Sequence, residues 1–100
     1  MTAQISVTRK PGDDPLQFEV VVTEGRSESR HLVTMAAGDG ARLTKGKHAP
    51  EACIAAAFRF LLDREAKESI LGRFDVSVIA RYFPEFESKL PHYFGRGSAG

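Results

Sequence analysis

The chain has one cysteine, no long apolar run and almost no net charge. Each scarcity removes a class of protein. With Cys53 alone there is no internal disulfide and no second thiol for a metal or redox motif, which fits a reducing compartment. No stretch reaches the roughly 18 apolar residues of a membrane span, and residues 1–10 lack the charged start and apolar core of a signal peptide. A cytoplasmic protein without membrane contact is expected. The formal charge of +1 announces no polyanion partner by itself, so a site for one must come from local clustering. His31, His48 and His92 share no ligand spacing, and neither a metal nor a cofactor is expected.

What remains is an ordinary globular composition, 42% hydrophobic and 27% charged over 100 residues, which gives room for one core. A domain of this size buries only roughly 60 to 70% of its unfolded surface, so self-association would be a useful supplement. The expectation is a single domain over residues 1–94. The glycine-rich end, residues 95–100, holds nothing to anchor it and reads as a flexible tail.

Period-2 alternation dominates the first third. Ile5 and Val7 share one face of a strand over 4–9, and Leu16, Phe18, Val20 and Val22 share one face of a stronger strand over 16–24. The Pro, Gly and Asp residues of 10–15 mark a hairpin loop between them. A polar turn over 24–29 leads to a third strand, 30–35, whose facing is left open because Leu32 and Val33 are adjacent. Residues 36–49, with three glycines and no periodicity, read as a long loop with a short fourth strand around 42–44.

The period then changes to that of a helix. Over 50–65, Pro50 suits a first helical position, Glu51 suits the positive end of the dipole, and Ile54, Phe58 and Leu61 form an apolar stripe flanked by Ala57 and Leu62. Continuation through Leu71 is open, and Gly72 ends the helix in either case. Asp75 can cap a helix opening at Val76, with Phe74 and Ile79 as a hydrophobic staple. Pro84 opens a last short helix that Pro91 closes. The sum is an α+β fold: an antiparallel meander of three to four strands, one main helix on one face, and short C-terminal helices.

Three places carry chemistry worth weighing. Cys53 could pair with His48 at the helix N-terminus as a thiolate, but a lone cysteine on an apolar helix face is first a small buried hydrophobe. No nucleophile or acid–base motif accompanies it, so no catalytic residue is assigned. The second place is the basic stretch of Arg42, Lys45, Lys47 and His48, which precedes a helix N-terminus with no acid in between and would suit a phosphate. Its bland counterpart is a solvated basic loop. The third is aromatic. Phe74, Tyr82, Phe83, Phe86, Tyr93 and Phe94 crowd into the C-terminal quarter, either to fill the core or, with Arg81, to present an interface centred on Arg81, Tyr82, Phe83, Phe86, Tyr93 and Phe94.

Three strands, Gly38 and Gly40 in a G-x-G loop, Thr44 and Lys45, and then Ala52 and Ala55 to Ala57 on a helix resemble the second half of the double-stranded RNA-binding domain. The likeness covers about half the chain. That family's first helix has no counterpart before Gln4, and Pro50 and Glu51 stand where its lysine cluster opens the final helix. Two functions are therefore expected to compete. One is a noncatalytic interaction or regulatory module that binds a protein partner or a second copy of itself; the other is a nucleic-acid or phosphate-binding module built on residues 42–48.

Overall fold

The computed structural model describes residues 3–12 and 15–98. The alternating segments form β1 (Gln4–Lys10), β2 (Leu16–Glu24) and β3 (Ser27–Met35), an antiparallel meander with Val7 opposite Val20 and Val20 opposite His31. The β2–β3 hairpin turns on Gly25 and Arg26 alone, Gly25 taking φ 59°, so β3 starts three residues earlier than the polar composition of 27–29 suggests. The facing of β3 is now fixed: His31, Val33 and Met35 point into the core and Leu32 points out.

Two expectations are corrected. Residues 36–49 hold no strand around 42–44; instead α1 (Ala37–Thr44) is helical, closed by Lys45 at φ 54° and Gly46 at φ 71°. Its glycines hid it, and one of them, Gly40, packs closely against the core. A Cβ on Gly40 would lie 3.1 Å from Met35 Cε, so the bare backbone lets α1 settle on the end of β3. Buried Thr44 donates its hydroxyl to the Gly40 carbonyl at 2.7 Å, and Leu43 joins the core.

The second correction concerns the sheet, which is mixed rather than antiparallel. After α2 (Pro50–Leu62) and a single 3-10 turn (Lys67–Ser69), residues Arg73–Asp75 form β4, parallel to β3 with Val33 opposite Phe74. The strand order is β1-β2-β3-β4. A parallel neighbour needs a long crossover, which α1 and α2 supply. Asp75 accepts the Ser77 N–H at 3.0 Å from its place in β4, but the next helix opens at Ser77 rather than Val76, and Val76, not Asp75, occupies the N-cap. Three short helices follow: α3 (Ser77–Tyr82), α4 (Phe86–Lys89) and α5 (Pro91–Ser98). Pro91 closes α4 and opens α5, which runs to Ser98; the last two residues of the expected tail, 99–100, lie outside the described residues.

α2 is buried on two sides. Phe58 faces the sheet, with its ring centroid 5.3 Å from that of His31 and 6.0 Å from that of Phe74. Phe60 faces the other way and makes edge contacts with Phe83, Phe86 and Tyr93 at 5.1 to 5.8 Å. Ala56 and Ala57, both buried, keep the helix close to its neighbours. α2 is thus the middle layer of sheet, helix and C-terminal helices. Among the described residues no helix is long and apolar enough to cross a membrane.

Candidate functional site

The basic stretch does not act as one unit. Arg42 lies on α1, where its guanidinium donates to Asp39 Oδ1 at 3.1 Å and to Glu87 Oε1 on α4, so two carboxylates answer its charge. His48 stacks face to face on Phe94, with centroids 4.0 Å apart and planes 7° apart. Lys45 and Lys47 are exposed, with no acidic partner among the described residues. Gly38 and Gly40, which carry the resemblance to the RNA-binding domain, lie inside α1 rather than in a loop. The N-terminal turn of α2 has no side-chain cap, and part of it closes on itself: the Ala52 and Cys53 N–H groups both donate to the Ala49 carbonyl.

Cys53 is fully buried, with Sγ 3.9 Å from Met35 Sδ. Burial pushes its thiol up to about 11, away from the range in which a thiolate reacts. Its side chain points into the core and His48 into a stack with Phe94, so the geometry does not pair them. Among the described residues no three His, Cys, Asp or Glu side chains gather as a metal site would require.

The aromatic segment divides. Phe86 and Tyr93 are buried around Phe60, and Phe94 lies half-buried under His48. The Tyr93 hydroxyl donates to Asp63 Oδ2 at 2.7 Å, while Arg64 lies 3.7 Å above the Phe60 ring and donates to Glu85 Oε2 at 3.3 Å. These contacts weld α4 and α5 to the end of α2. Arg81, Tyr82 and Phe83 remain at the surface or close to it.

Tyr82 and Phe83 belong to a groove of about 330 Å³ beside β4. Buried Leu61, Ile70, Phe74 and Ile79 line it, together with Val78 and Tyr82 of α3 and with Leu71. Leu71 is 52% exposed and Tyr82 71%, the two most exposed large hydrophobic residues among those described. Glu65 and Ser69 give the mouth its polar edge. Leu71 was not singled out in the sequence because Ile70, Leu71 and Gly72 share no period; its place follows from β4, which holds the segment against the sheet.

The position of Leu71 is fixed from below. Buried His31 has Nδ1 2.8 Å from the Leu71 carbonyl and Nε2 2.8 Å from Ser29 Oγ. A carbonyl only accepts, so Nδ1 carries the proton. Close by, Lys67 buries its whole side chain and brings its ammonium to Glu68, with Glu24 at 4.0 Å. Ser27 donates to the same Glu68 carboxylate at 3.5 Å, which ties the 3-10 turn to the β2–β3 hairpin. The Lys67 contact holds the Glu68 carboxyl below the ordinary carboxylate range.

Comparison of the chain with protein-family models, with characterised proteins and with solved structures returns no match. A functional reading therefore rests on the geometry of the site.

Proposed function

We propose that the chain is a noncatalytic cytoplasmic protein-interaction module that engages its partner through the groove between β4 and α3. One observation carries the reading: Leu71 and Tyr82, the two most exposed large hydrophobic residues among those described, line the same groove as buried Leu61, Ile70, Phe74 and Ile79. Tyrosine suits such a place because its ring covers apolar area while its hydroxyl stays wet, and little rotamer entropy is lost on docking. The one thiol is buried, and the polar members of the groove's lining are Glu65 and Ser69. The phosphate-binding alternative keeps Lys45 and Lys47, while Arg42 is already engaged by Asp39 and Glu87.

The test is a photo-reactive group at position 82, activated in cells, with and without Leu71→Ser. The expected result is a discrete cross-linked species that Leu71→Ser abolishes while the far-UV spectrum stays unchanged. A cross-linking pattern indifferent to Leu71, or no cross-link, would remove the reading. An electrophoretic shift with RNA or DNA at low salt would favour the alternative, because phosphate contacts are strongest there.

A further inference from the structure

We propose that the β4 edge is self-complementary and that two copies of this chain pair there, antiparallel and two-fold about Phe74. The inference rests on reading this end of the sheet as an interaction surface and names the occupant.

The backbone comes first. β4 is the last strand of the sheet, so one of its sides has no strand beside it among the described residues. The Gly72 carbonyl accepts from the Leu32 N–H, and the Val76 N–H donates to the Thr34 carbonyl, each at 2.8 Å. In a parallel ladder alternate residues serve the same neighbour. Phe74 therefore also faces β3, while Arg73 and Asp75 turn their N–H and C=O groups to the open side. An antiparallel partner centred on Phe74 meets this pattern in phase. Arg73 stands opposite the partner's Asp75 as a hydrogen-bonded pair, the two Phe74 residues form the central non-bonded pair, and Asp75 stands opposite the partner's Arg73.

The side chains agree with that register. Phe74 points into the core, so Arg73 and Asp75 both lie on the outer face, where directly opposed residues interact. Arg-Phe-Asp is a charge palindrome: reversed on itself, it sets a guanidinium against a carboxylate at both ends. Arg73 is exposed and has no partner among the described residues. Asp75 accepts from Thr34 Oγ1 at 2.7 Å and from both the N–H and the side chain of Ser77, and a carboxylate's roughly four lone-pair sites leave room for one further donor. A slip of register by two residues loses both charge pairs. The same register carries each exposed Leu71 towards the opening of the partner's α3, the helix that bears Val78 and Tyr82, so apolar surface is covered together with the edge.

The test is sedimentation velocity of the full chain from micromolar to millimolar concentration, with amide exchange followed over the same range. Expected are a concentration-dependent dimer, protection of the Arg73 and Asp75 amides that appears with it, and dissociation strengthened at least about tenfold by Arg73→Asp, which opposes two aspartates. An equimolar mixture of Arg73→Asp and Asp75→Arg chains should pair again. If Asp75→Arg fails to fold, the exchange measurement on the unaltered chain decides alone. A monomer at every concentration overturns the proposal, and so does a dimer that ignores Arg73→Asp and leaves both amides unprotected. If that monomer still gives a discrete Tyr82 cross-link to a different protein, only the choice of occupant has failed; if it gives none, the groove reading fails as well.

Discussion

His31 Nδ1 donates to the Leu71 carbonyl across 2.8 Å, joining a core residue of β3 to the exposed rim of the groove. The imidazole thereby sets where the rim stands. Replacing His31 with Ala should cost about 2 to 3 kcal/mol, from a lost buried hydrogen bond and a partly unfilled space against Phe58. Urea unfolding gives the cost. Faster amide exchange at Gly72 and Arg73 in the folded variant would show that the rim has been released.

Phe60→Ala should cost about 3 to 5 kcal/mol, as for other large aromatic truncations in cores. Its signature should differ from that of Phe58→Ala. Phe60 holds Phe83, Phe86 and Tyr93, so exchange in α4 and α5 should rise first, whereas Phe58→Ala should loosen the sheet side around His31 and Phe74. Equal effects on both regions would contradict the two-sided role of α2.

Lys67 separates charge from packing. Lys67→Met keeps the buried stem and removes the need to match an ammonium, so stability should stay within about 1 kcal/mol of the parent or rise. Lys67→Ala leaves a hole and should lose about 2 to 3 kcal/mol. Denaturant midpoints of the two variants decide the matter. A large loss in Lys67→Met would mean that the contacts with Glu68 and Glu24 outweigh the cost of burying the charge.

The thiol gives a pH dependence of definite sign. Burial raises the Cys53 thiol to about 11, so above the unfolded thiol's ordinary value the unfolded chain holds fewer protons than the folded one. Stability should therefore fall as pH rises from about 9 to 11, by roughly 2 to 3 kcal/mol at the upper end for a shift of this size. Cys53→Ala or Cys53→Ser should flatten that part of the profile. The folded thiol should react with a disulfide reagent at pH 8 only as fast as the chain opens.

The meander was legible because Leu16, Phe18, Val20 and Val22 alternate without interruption and the turns are short. Pro50 and the Ile54–Phe58–Leu61 spacing likewise declared α2. β4 could not be read the same way. Three residues with Phe74 as the single apolar member carry no period, and the strand exists only because β3 lies ready beside it. α1 was hidden by Gly38 and Gly40, the second of which packs against Met35, a contact no local pattern encodes. Of the sites, the charge of 42–48 was legible, but the pairing of Arg42 with Glu87 was not, because that residue approaches from 45 positions away. Tyr82 and Phe83 stood out by aromatic density, and both line the groove. Leu71 had no such signal.

The parallel strand has a consequence for how the molecule assembles. The bond from Thr34 Oγ1 to Asp75 spans 41 residues, so docking β4 carries the entropy cost of closing a long loop. The three-stranded meander needs no such closure. Folding should therefore reach a sheet with β3 as its temporary edge before β4 covers it, and the groove should be the last surface to take shape and the first to be lost. In an unfolding experiment, signals from Tyr82 should report the departure of β4 before those of the meander change.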